Sequence, residues 1–161
     1  YTTDLAQPAR SEMRETLERI KTNPETKDIP VMMLTAKQLT PDEAQEYAIY
    51  VEDYVLKPIT HRELYDVIEH ILNRRARIRQ DVEMARAAGI DQKTIDEYAR
   101  LSKSIEVNRR LMSILESTYN ISDTKAKVGE EIARAIRSMN MNIEFQEDRL
   151  KELRDQMKVG T

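Results

Sequence analysis

From residue 60 to the C-terminus, the chain places an apolar residue at every third or fourth position, and this most constrains what it can fold into. Thr60 stands where a helix cap belongs, and Leu64, Ile68, Ile71, Ile78, Val82 and Ala85 follow along one side, with Arg75 filling one slot. Ala87-Ala88-Gly89 ends that stretch and Asp91 opens the next. There Tyr98, Leu101, Ile105, Met112, Leu115 and Tyr119 keep the same rhythm, with Asn108 at one core position. After a break at Asn120-Ile121-Ser122-Asp123, the third stretch carries Ile132, Ile136, Met139, Ile143, Gln146, Leu150, Leu153 and Met157. A lone helix cannot bury its own stripe, so residues 73–161 are expected to form a three-helix bundle or coiled coil, packed within one chain or on a second copy. Charged residues at 34%, aromatics at 5% and only three glycines fit long solvated helices. Met112, Met139 and Met157 read as core, not as a ligand surface.

The first 72 residues have another texture. Two short apolar runs, Val31 to Leu34 and Tyr54 to Leu56, each end in a polar residue able to do chemistry: Thr35 after the first, Lys57 after the second. This is the pattern of buried parallel strands presenting side chains at their carboxyl ends, where open α/β sheets place ligands. Pro58 follows Lys57 and is a candidate for a cis bond that turns the chain sharply. Ser11 to Thr22 reads as an amphipathic helix with Ser11 as its cap, stopped by Asn23-Pro24. Thr40-Pro41-Asp42-Glu43 reads as the start of a helix that ends near Tyr50.

Thr35-Ala36, Tyr54 and Lys57-Pro58, with Thr35 and Lys57 22 positions apart, resemble the second half of a two-component response regulator receiver domain. The stretch LERIKTNPETKDIPVMMLTA ahead of them is similar to that family as well. The resemblance covers residues 4–72 and is strongest over 17–72. It implies a partial flavodoxin-like receiver of parallel strands with helices over residues 1–72, so that the fold class is α/β plus all-α. By that resemblance Lys57 and Thr35 are the catalytic pair that holds a phosphoryl group, and Thr35 and Tyr54 are the switch. Asp4, four residues before Pro8, is the phosphoacceptor candidate; it reads equally well as an ordinary turn or cap residue. The family binds Mg2+ through an acidic pair ending its first strand, which this chain does not contain, so Mg2+ is expected only for a complete receiver. A chain that opens at Tyr1 is accordingly expected to be a fragment or a trimmed product. Tyr50 stands where receivers usually have a glycine, so the turn into the second strand is expected to be built differently.

The formal charge of −3 divides unevenly, with 8 basic against 14 acidic residues over 1–72 and 18 against 15 over 73–161. A bundle at +3 with interspersed acids is no nucleic-acid footprint, and its long, evenly charged helices do not read as a helix-turn-helix. The chain has no cysteine, no apolar run long enough to span a membrane and no charged-then-apolar leader, so a cytoplasmic protein with no membrane association is expected. Both histidines, His61 and His70, lie ahead of the bundle, which excludes a histidine phosphotransfer bundle. Arg74, Arg75, Arg77 and Arg79 form either a solvated helix face or an anion-binding or docking surface. Beyond the receiver set there is no nucleophile–base pair, metal cluster or glycine-rich loop, so an independent enzyme is not expected.

Two functions remain in view. One is a signal-transduction response regulator in a phosphorelay, with a sensor histidine kinase as partner and a helical output or dimerisation region that makes a homo-oligomer. The other is a phosphorylation-independent pseudo-receiver serving as an adaptor or structural dimerisation protein.

Overall fold

The computed structural model describes residues 7–36, 39–119 and 127–158. Its elements run α1 (Gln7–Thr22), β1 (Met32–Thr35), α2 (Pro41–Ala48), β2 (Asp53–Leu56), α3 (His61–Ala87), α4 (Gln92–Tyr119) and α5 (Lys127–Met157). Among the described residues this is a small α/β unit followed by three long helices. The expected break at Asn120 to Asp123 lies outside those residues.

The two strands pair in parallel, Met32 opposite Asp53, Met33 opposite Tyr54, Leu34 opposite Val55 and Thr35 opposite Leu56. The ladder continues past both ends through Glu52 N–H to Val31 O at 2.7 Å and Lys57 N–H to Thr35 O at 2.8 Å. The crossover between them is α2. Thr40 and Glu43 close a reciprocal capping box at its start, with Pro41 in the first turn, where a missing N–H costs nothing. Thr60 and Glu63 build the same box for α3. Helix α3 ends as the sequence implies: Gly89 adopts φ +78° and Ile90 N–H reaches back to Ala85 O at 3.0 Å. Asp91 then caps α4, accepting from Thr94 N–H at 3.0 Å.

Some local expectations shift. Helix α1 starts earlier than expected, at Gln7, with a proline in its first turn, so Ser11 lies inside the helix instead of capping it. Helix α2 stops at Ala48, and Tyr50 and Val51 both donate their N–H to Tyr47 O. The turn into β2 is thus closed without a left-handed residue, which is how Tyr50 can occupy it. On α3 the fully buried slots are Ile71, Arg74 and Ala85; Arg75 is half-buried and Ile68 is 41% exposed. The α3 stripe otherwise follows the expected seam, widened by Arg74, which is buried where it meets Glu52 and Glu106 of α4.

Two buried clusters hold the molecule together. The second is all-helical: Ala85 of α3, Ile95, Tyr98, Leu101 and Ile105 of α4, and Ile143, Leu150, Leu153 and Met157 of α5. The first joins Leu17, Met33, Leu39, Ala44, Tyr47, Val51 and Tyr54 from the α/β unit to Val107, Leu111, Ile114 and Leu115 of α4 and Ile136 and Met139 of α5. Helix α4 therefore has two buried faces. Val107, Leu111 and Ile114 fall off the expected seam because they face the α/β unit while the seam faces α5. At about 25 cal/mol per Å2 of apolar surface, burying a leucine-sized side chain contributes about 2 kcal/mol, so this shared core fastens the two parts firmly.

Candidate functional site

The structure brings Thr35 and Lys57 to the same end of the sheet. Thr35 closes β1 and is 7% exposed; Lys57 directly follows β2, with its side chain exposed and its N–H bonded to Thr35 O. The Lys57-Pro58 bond is cis, as expected. Tyr54 lies on β2 opposite Met33, fully buried, and its phenol oxygen has no hydrogen-bond partner among the described residues. Burial above all, and then nearby Tyr47 and Glu43, push its ionisation far above the ordinary tyrosine value, so the phenol stays neutral. Asp4 lies outside the described residues. No group of three His, Asp or Glu side chains that could hold a metal occurs among the described residues.

The opposite end of β2 carries a second constellation. Val51-Glu52-Asp53 enters the strand with all three residues buried. The Glu52 carboxylate accepts from Arg74 Nη2 at 2.8 Å and from Arg75 Nη1 at 3.0 Å, with Lys103 Nζ at 3.7 Å. Arg74 Nη2 also donates to the Glu52 carbonyl at 2.7 Å, so one guanidinium binds both main chain and side chain at the strand entry. Its Nη1 reaches Glu106 of α4 at 3.4 Å, and Glu106 also accepts from Arg77 at 2.6 Å and faces His70 at 3.4 Å. Beside them, Asp53 accepts from Tyr54 N–H at 2.7 Å and lies 3.5 Å from Arg110 of α4. Arg75 ties the loop ahead of β1 into the network through Asp28 O at 2.6 Å.

Burial raises the Glu52 carboxyl, but Lys103, Arg74 and Arg75 together outweigh it and hold Glu52 below its ordinary value. Asp53 goes the other way: burial outweighs the Tyr54 N–H and Arg110, and its carboxyl is raised. Lys103 is lowered by burial and by Arg74 and Arg75, against the pull of Glu52. The network therefore links β2, α3 and α4 by charge, at a place where the shared core already links them by packing.

Residues 74–161, more than half of the chain, match the family model described as Metanogen output domain 2. The chain belongs to that family. No curated protein and no solved structure matches it. The Metanogen output domain 2 span begins at Arg74, the hub of the network, and takes in the rest of α3 and all of α4 and α5. Its contacts with the preceding residues run from Arg74, Arg75, Lys103 and Arg110 to Glu52 and Asp53. Tyr119 Oη adds a bond to Leu39 O at 3.0 Å near the far end of α4.

Sequence reasoning found Arg74, Arg75, Arg77 and Arg79 as a cluster but not their partners. Two signals pointed to them. A charged residue occupied a slot of the α3 apolar stripe, and Glu52-Asp53 sat between Val51 and Tyr54, both apolar enough to be buried. Neither says that the partners are each other, because the pairing is made only when α3 folds back along β2.

Proposed function

We propose that this chain is a signal-transduction response regulator in a phosphorelay, in which the second half of a flavodoxin-like receiver acts on the Metanogen output domain 2 helices. In this reading Thr35 and Lys57 hold a phosphoryl group, Thr35 and Tyr54 form the switch, and a sensor histidine kinase is the phosphoryl source. The observation that carries the reading is where α4 packs: against α2, β2 and α3, the face that a receiver of this resemblance would remodel, with Tyr54 in the same buried cluster as Leu111 and Ile114. A change at the carboxyl end of β2 would reach α4 with no intervening linker. Tyr65, Ile68 and Leu72 lie exposed along the first turns of α3, an apolar face that a partial sheet leaves uncovered. Mg2+ enters the reading only with a complete receiver.

The experiment is to treat the full-length protein with a small phosphodonor and Mg2+ and follow its assembly state. Phosphorylation is expected to change assembly, and Lys57→Ala is expected to abolish that change. An undiminished response in Lys57→Ala sinks the mechanism.

A second reading, a phosphorylation-independent adaptor, is favoured by one observation. The face in question is already sealed by α4, and Tyr54 is already fully buried. Failure of the full-length protein to take up label from the phosphodonor would select it. Either reading includes a homo-oligomer made through the helical region. Met141 and Phe145, one turn apart on α5 and 69% and 74% exposed, supply the apolar contact. Phe145→Glu is expected to lower the mass measured by light scattering to that of one chain.

A further inference from the structure

Between α3 and α4, beside the entry to β2, lies a pocket of about 220 Å3 lined by Glu52, Arg74, Arg75, Arg79 and Lys103, with Ile78 and Ala99 as its apolar wall. Four cations thus face one carboxylate. That carboxylate is already shared: Arg74 takes one oxygen, and Arg75 and Lys103 approach the other. Arg79 has no ion pair or hydrogen bond among the described residues. Arg74 is 2% exposed, and its Nε donor, itself shielded from solvent, has no partner. Like charges in excess of the carboxylate they share are costly in a partly buried place, and an anion in the pocket would relieve that cost.

We propose that this pocket binds a small, multiply charged oxyanion of the phosphate class, held by Arg74, Arg75, Arg79 and Lys103. The size of the pocket fits the proposal, being below the range that encloses drug-sized ligands and suited to a phosphate or pyrophosphate group. Guanidinium forks match phosphate oxygens in geometry as well as in charge. Burial above all, and then Arg74 and Arg75, depress the Lys103 ammonium, and an anion there would favour its charged form. The site bridges the Metanogen output domain 2 helices and the entry to β2, so its ligand would strengthen the contact between the two parts of the chain. It uses neither Thr35 nor Lys57, and it stands or falls independently of the receiver reading.

The test is titration calorimetry of the full chain with inorganic pyrophosphate, matched in ionic strength with sodium chloride. Saturable binding of one pyrophosphate per chain is expected. Arg79→Ala, at an exposed position, and Lys103→Gln, which keeps most of the aliphatic stem, are each expected to weaken it about tenfold or more. Arg137→Ala, on the exposed side of α5, is expected to bind like the parent. The melting temperature should rise with pyrophosphate in the parent and much less in the two pocket variants. An arm with AMP distinguishes the sources: binding at least as tight as pyrophosphate assigns the phosphate to a nucleotide, and weaker binding assigns it to a free oxyanion. Absence of saturable binding at millimolar pyrophosphate overturns the proposal. So does binding that both pocket variants leave unchanged, because the anion then sits elsewhere.

Discussion

The two ends of β2 are separated by one four-residue strand, about 10 Å at the usual rise, yet they are opposite kinds of site. At the carboxyl end, Lys57 is exposed directly after the strand. At the amino end, Glu52 and Asp53 are buried and surrounded by arginines and a lysine drawn from two helices. The first end leaves a lysine open to solvent. The second is closed over the strand: its ion pairs fix how α3 and α4 lie there, and the pocket lies beside them. The strand and the core beside it connect the two ends, and α4 contributes both to that core and to the ion network.

The largest expected effect breaks the closed end. Glu52→Ala leaves Arg74 buried with its main partner gone, and removal of one member of a buried pair costs about 3–5 kcal/mol. Urea denaturation followed by helical circular dichroism should show that loss. Replacing Glu52 and Arg74 together with Gln and Met should recover part of it, because the fully buried guanidinium is then gone with its partner and only the partly exposed Arg75 and Lys103 lose theirs. A Glu52→Ala chain as stable as the parent would show that the packing alone holds the junction.

Acid sharpens the same contrast. Glu52 is lowered in the folded chain, so its contribution to stability is fully present above the ordinary carboxyl range and is lost as pH falls through its folded value. Asp53 is raised, so its contribution has the opposite sign: present at low pH and lost as pH rises through its folded value. Glu52→Gln should therefore flatten the acid limb of stability against pH, whereas Asp53→Asn should steepen it. Equal slopes in both variants would deny that burial separates these neighbouring carboxylates.

The open end was the more legible in the sequence. Thr35, Tyr54 and Lys57-Pro58 lie on and after strands that their apolar runs announce, and the caps at Thr40, Thr60 and Asp91 are local rules obeyed locally. The seam on α5 was equally plain, since Ile136, Met139, Ile143, Leu150, Leu153 and Met157 recur at helical spacing and are all buried. What could not be read was contact between distant segments. Val107 and Leu111 looked like positions beside a seam until the α/β unit gave α4 a second face to bury. Arg74 looked like part of a solvated cluster until Glu52, 22 positions earlier, met it. Periodicity reports that a face is buried, but a helix buried on two faces blurs its own period, and a buried ion pair reads as surface charge.

The smallest effects should come from the open end, and their ordering tests whether it is free of structural duty. Thr60→Ala removes the hydroxyl that accepts Glu63 N–H at 3.2 Å, and loss of such a cap costs about 1 kcal/mol. Lys57→Ala, only three positions earlier, removes an exposed side chain whose backbone bond to Thr35 O remains, and it should change stability by no more than about 0.5 kcal/mol. The same urea experiment measures both. A loss that small would leave the Lys57 side chain without structural duty, as the phosphoryl-holding role proposed for it requires. A Lys57→Ala loss as large as that of Thr60→Ala would instead make Lys57 a structural residue of the β2–α3 turn, and the contrast between the two ends of the strand would collapse.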